Sequence, residues 1–287
     1  MEEQVEITQV QGSDLAYQQD KATIDIQINT AKSFPRNVKR AVDNSIVIVT
    51  MDTETASTCT YSLPRSGKTI TGPSVHLAKI LAQNWGNLRV EAKVVDIAPR
   101  QITCQAVAFD LENNLAIKVE VKRSIVDKHG KRFNDDMITV TGNAGNAIAM
   151  RNAILSVIPK AVVDKVYNEA KKTITGDISD KTKLMTKRKQ VIDGFRDVYG
   201  VSEAEILKVI NKASIDHIDS DNLITLIGIA QAIKDGDTTV EDAFRKKEAT
   251  KTNVTADKPM ENIEVKVSDK HKQKAASAVS QELPLTE

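Results

Sequence analysis

The chain has 287 residues, with 40 Lys and Arg against 39 Asp and Glu and a formal net charge of +1. At roughly 100–200 residues per domain this length holds one large or two modest domains, and the near-neutral balance excludes a global basic field as the means of gripping nucleic acid. Aromatics make up only 3%, so the core is built from Ile, Val, Leu and Ala, and base stacking has little to work with.

Residues 1–20 are read as a flexible N-terminus and 21–175 as an α+β core. In "ATIDIQIN", Ile24, Ile26 and Ile28 alternate with Asp25, Gln27 and Asn29, the period of a half-buried strand. Behind Pro35, Val38, Val42, Ser45 or Ile46, and Val49 recur at helical spacing. "STCTYSLP" and "KTITG" flank "PRSG", which predicts a hairpin with its turn at Pro64 to Gly67. That turn contains Gly67-Lys68-Thr69, the end of a phosphate-binding P-loop. The first glycine of such a loop would fall on Ser62, and Pro64 removes an N–H the cradle needs, so a nucleotide site is not expected.

"PSVHLAKILAQNWG" predicts a helix with Pro73 in its first turn and its end at Gly86. Val75, Ala78, Ala82 and Trp85 form its inner stripe, with His76, Lys79 and Gln83 outside. Three strand-like runs follow, "NLRVEAKVVDIA", "QITCQAVAFD" and "LAIKVEVKRSIV", joined at Pro99-Arg100 and at "LENN". They form an antiparallel meander. The last run sets Ile117, Val119 and Val121 against Lys118, Glu120 and Lys122, so one sheet face is charged and wet.

A polar loop with Lys128, Lys131 and Arg132 leads through the short run "MITVTG" to a long helix beginning near Asn143. Ala144, Ile148, Leu155 and Ile158 share a stripe with Arg151, and Pro159 kinks this helix or starts the next. Residues 178–247 read as a small all-helical module behind a linker, with a capping box at Ser202 and Glu205 and an amphipathic helix closed by Gly236. The Lys-, Thr-, Ala- and Ser-rich stretch 248–287 reads as a disordered tail ending in "ELPLTE". The fold class is therefore α+β: hairpins and a meander packed on a long helix, then the helical module and the tail.

Cys59 and Cys104 are far apart, and His76, His129, His217 and His271 stand singly, so neither a metal site nor a cofactor is expected. No local signature assembles a nucleophile with its base, and no catalytic residue is expected. Asp135 and Asp136 before the long helix complement its dipole. No run reaches the ~18 apolar residues of a membrane span, and the N-terminus lacks the marks of a signal peptide, so the expected location is cytoplasmic.

Cations at hairpin tips and along a charged sheet face can follow a phosphate backbone without reading bases. The candidates are Arg65, Lys68, Lys118, Lys122, Arg123, Lys128, Lys131 and Arg132. Arg151 is either buried against a carboxylate or carbonyls, or emerges at a groove edge where its fork takes phosphate. Asn143, with Asn146 and Asn152, is placed at the start of the helix, whose free N–H groups attract anions.

The series "ATIDIQINTAKSFPR", "YSLPRSGKTITGPSVHLA", "WGNLRV", "FDLENNLAIKVEV", "MITVTGNAGNAIAMRNAILSVIPKAVV" and "IKDGDTTVEDAF" resembles a family of conserved phage and prophage proteins, most without an assigned activity. The order of hairpin, meander and Ala-rich helix is also similar to the phage single-strand annealing proteins of the RecT, Red-beta and Erf groups. That resemblance implies an ATP-independent annealing protein for recombination in a bacterial host cell. It implies a homo-oligomeric ring or filament holding single-stranded DNA, with the helical module or tail contacting a single-strand binding protein. The alternative from a different class is an oligomeric protein-interaction scaffold that does not bind DNA.

Overall fold

The computed structural model describes residues 2–245 apart from 66–67, 128 and 177–180. It is α+β, with a two-stranded and a three-stranded antiparallel sheet.

The flexible stretch expected at 1–20 and the strand expected at 22–29 are instead one helix, α1 (Glu2–Ser33). A period-2 run makes a strand only where a sheet accepts it, and neither sheet does so here. On the helix, Ile24, Ile28 and Ala31 share one side at i, i+4 and i+7, while Ile26 faces away and stays exposed. Thr23, Thr30 and Ser33 turn their hydroxyls back onto carbonyls four residues earlier, satisfying polar groups that would otherwise favour a strand or turn.

Helix α2 (Val38–Val49) begins where the Asn37 side chain accepts from Arg40 N at 2.9 Å. It buries Ala41, Val42, Ser45 and Val49, close to the expected stripe. Between α1 and α2, the side chain of Arg36 is nearly fully buried. Its guanidinium forks onto both Asp110 carboxylate oxygens, its Nε and backbone N–H reach Glu112 at 2.9 Å, and its face lies 4.8 Å from the centre of the Trp85 ring. Asn87 completes the knot by donating to Glu112 and to the Phe34 carbonyl.

After α3 (Thr53–Thr58), strands β1 (Thr60–Arg65) and β2 (Lys68–Pro73) form the expected hairpin, with Arg65 paired to Lys68. Its turn residues 66–67 lie outside the described residues. Pro73 closes β2 and does not open the helix. Ser74 does that instead, accepting from His76 N and Leu77 N at the start of α4 (Val75–Trp85). This helix buries Ala78 and Trp85 of the predicted stripe, with Leu77 and Leu81 in place of Val75 and Ala82, because it packs against two neighbours, α2 and the long helix α5 (Asp135–Val157).

The meander appears as expected: β3 (Leu88–Ile97), β4 (Gln101–Asp110) and β5 (Leu115–Ser124), in that spatial order, with a bulge between Val94 and Asp96. Helix α5 begins eight residues before Asn143, because Asn134 caps it by accepting from Met137 N at 2.9 Å, and Asp135 and Asp136 fill its first turn. "MITVTG" is thus helical despite its β-branched residues; the cap and the sheet beneath outweigh propensity. Pro159 ends this helix and heads α6 (Lys160–Thr175).

Helices α7 (Lys181–Tyr199), α8 (Glu203–Val209) and α9 (Ser220–Lys234) share a core of Ile192, Phe195, Ile206, Leu226, Ile229 and Phe244. The Ser202–Glu205 capping box is present. Helix α9 also lies along β1, and Met1–Lys247 form one compact unit, so these helices are built onto the hairpin. At the crossing, a Cβ on Gly228 would stand 2.8 Å from the Tyr61 carbonyl carbon and 2.9 Å from Ser62 N. The tail expected at 248–287 lies outside the described residues.

Arg36→Ala should therefore cost about 3–5 kcal/mol in urea unfolding, the usual result of stranding a buried charge partner. Burial raises the Asp110 and Glu112 carboxyls, but bonds from Asn113 and Arg36 on the first, and from Arg36 and Asn87 on the second, bring both below their ordinary range. Groups depressed in the folded state stabilise it above their unfolded pKa and lose that contribution as pH falls through the folded value. Stability should thus decline as pH drops below about 4, and less steeply in Arg36→Ala. Gly228→Ala should cost about 1–3 kcal/mol, since the opposing atoms are backbone.

Candidate nucleic-acid interface

The pleat divides the meander into two faces. Ile102, Cys104, Ala106 and Ala108 of β4 pair with Arg123, Val121, Val119 and Ile117 of β5, and this face lies under α5. The approach is close because α5 presents Gly142, Gly145, Ala149 and Ala153 to the sheet. A Cβ on Gly145 would penetrate the Cys104 sulfur, and one on Gly142 would stand 3.2 Å from Ile102 Cδ1.

The other face carries Arg89, Glu91 and Lys93 from β3, Thr103, Gln105, Val107 and Phe109 from β4, and Lys118, Glu120 and Lys122 from β5. Lys93, Lys118 and Lys122 are exposed, whereas Val107 and Phe109 are half-buried between the outer strands. Acids are interleaved. Arg89 pairs with Glu91 and also donates to Gln27 of α1, while Lys118 stands 4.0 Å from Glu120. Asp96 follows the bulge beside Thr103.

Among the described sequence candidates, only Lys118 and Lys122 share this face. Arg123 belongs to the opposite one, because adjacent strand residues point to opposite sides. Its guanidinium donates to the carbonyls of Gly236 and Asp237 at 3.3 and 3.4 Å. Lys131 is exposed in a loop that Asp127 organises by accepting from Lys131 N and His129 N, bonds that hold the Asp127 carboxyl below its usual range. Arg132 donates to the Ala98 and Pro99 carbonyls at 3.1 and 3.2 Å, stapling that loop to the β3–β4 turn. The side chains of Arg65 and Lys68, and the whole of Lys128, lie outside the described residues.

Arg151 takes the buried alternative. It is 8% exposed, lies 4.2 Å over the Tyr61 ring, donates to Asn152 Oδ1 at 3.2 Å and stands 4.0 Å from Asp237 Oδ2. Asn143 is exposed well inside α5, where its backbone N–H is already part of the helix, so the anion site expected at a helix start there does not exist. Arg89 and Lys93 were missed as interface candidates. The alternation in "RVEAKV" marks them, since it sets both opposite Val90, Ala92 and Val94.

Among the described residues no group of His, Cys, Asp and Glu is placed to hold a metal ion, and no helix is long and apolar enough to cross a membrane. Both cysteines are buried. Burial pushes the Cys59 thiol up to about 11 and raises that of Cys104, so neither presents a thiolate at neutral pH. Comparison with known proteins finds no matching family model, no matching curated protein and no matching solved structure.

Proposed function

We propose that the chain is an oligomeric single-stranded DNA binding and annealing protein of phage type, working without ATP. The observation that carries this reading is the outer face of the meander. Arg89, Lys93, Lys118 and Lys122 border a middle strand whose Val107 and Phe109 are half-buried. Phosphates can run along the cations while bases rest on the apolar middle and remain available for pairing. The layout of hairpin, meander and long helix, similar to that of the annealing groups, supports the same assignment by analogy.

Glu91, Asp96 and Glu120 weaken the field of a single copy, so useful affinity requires several copies side by side. Strands β3 and β5 leave both edges of the three-stranded sheet without a partner strand among the described residues. Free strand edges are templates for pairing, and head-to-tail pairing generates rings or filaments. Contacts to a single-strand binding protein fall to α7–α9 or to the residues beyond 245.

The interleaved acids also favour a second reading, a self-assembling interaction scaffold. Val95 and Ile97 at the end of β3 and Leu115 at the start of β5 are exposed, and such residues serve subunit contacts with or without DNA. DNA binding separates the two. Affinity for a labelled oligonucleotide should fall steeply with salt, and the combined variant Lys93→Ala, Lys118→Ala, Lys122→Ala should make the negative slope of log affinity against log salt shallower by about 2, at ~0.7 per lost phosphate contact. Binding that is absent or indifferent to salt would leave only the scaffold.

A further inference from the structure

We infer that the turn after α9, Lys234 to Thr239, is a displaceable acidic clasp in which the Asp237 carboxylate holds the place beside Arg123 and Arg151 that a DNA phosphate takes when the strand is bound. The inference rests on the proposed DNA-binding function. It concerns a different part of the molecule from the outer sheet face.

Four elements meet at this point. Arg123 arrives from the end of β5, Arg151 from the middle of α5, Tyr61 from β1, and Asp237 from the turn after α9. Both guanidiniums have unused bonding capacity. Among the described residues Arg151 makes a single hydrogen bond, to Asn152, and approaches Asp237 only to 4.0 Å, although both side chains are about nine-tenths buried. Arg123 reaches two carbonyls at the long end of hydrogen-bond distance. Each guanidinium has a five-donor fork suited to the paired oxygens of a phosphodiester.

The occupant is loosely tied. Burial raises the Asp237 carboxyl, and the pull of Arg151 and Arg123 does not restore it to its usual value. Its backbone is held by its N–H on the Ala232 carbonyl at 2.9 Å, after Gly236 has turned the chain at a φ of +75°. The neighbouring Asp235 adds its like charge to that rise but is itself tied elsewhere. Asp235 accepts from Gln231 at 2.8 Å and lies 3.2 Å from His76 Nε2, which anchors the near end of the turn to α4. Ala243 and Phe244, buried beside Phe195, anchor the far end. Asp237 swings away when Arg123 gives up the Gly236 and Asp237 carbonyls to the phosphate, while Asp235 and Phe244 keep both ends of the turn in place, and strand binding is thereby coupled to the position of the helices after residue 181.

The test uses the full chain and a labelled oligothymidylate, with Asp237→Asn as the variant because it keeps the shape and one acceptor while removing the charge. It should bind about five- to tenfold more tightly than the parent, with a salt slope steeper by about 0.7, the value of one further phosphate contact. Adding Arg123→Gln should abolish the gain. On the unaltered protein, amide exchange across 234–239 should rise when the oligonucleotide is added, a measurement that decides the matter even if the variant fails to fold. Salt-dependent binding by the parent with no gain in the variant and no change in exchange would overturn the clasp and leave the proposed function standing. No binding by either protein would remove both.

Discussion

The close seating of α5 on the meander governs the rest of the molecule. Glycines and alanines at 142, 145, 149 and 153 let the helix backbone approach Ile102, Cys104, Ala106 and Ala108 without intervening side chains. That contact covers the β4 residues of one face and half-buries Ile117, Val119 and Val121 beside them. By the two-residue pleat, every charged position of β3 and β5 up to Lys122 is then sent to the other face. The same seating fixes the rotation of α5 and so carries Arg151 inward to Tyr61 and the turn after α9.

The remaining elements are tied to this unit by a few specific contacts. Arg36 joins the α1–α2 connection to the end of β4 and to Trp85, and Gly228 lets α9 lie against the hairpin backbone. The helices after residue 181 are consequently coupled to the hairpin and, through Arg123 and Arg151, to the meander.

Where local chemistry and tertiary demand agree, the sequence could be read. The meander announced itself by alternation and turn residues, and the Ser202–Glu205 box marked its helix. Reading failed where a pattern has two geometric meanings. The isoleucines at 24, 26 and 28 suit a strand, yet on α1 two of them also share a helical side. "MITVTG" favours a strand by propensity, but Asn134 caps a helix there. The candidate interface failed in a more avoidable way, because Lys122 and Arg123 are sequence neighbours in a strand and cannot share a face. For Arg151, both fates were compatible with an apolar stripe, and Tyr61 and Asp237, both distant in sequence, decide between them.

The assignment of function depends on lysines of separate strands serving one unpaired nucleic-acid chain in preference to a protein surface. The most direct measurement is the ATP-free annealing of two complementary oligonucleotides, followed by fluorescence energy transfer in modest salt. The account predicts that the protein speeds pairing well beyond the spontaneous rate and that Lys118→Ala with Lys122→Ala removes most of the gain. Pairing no faster with the protein than without it, or equally fast with both lysines gone, would contradict it.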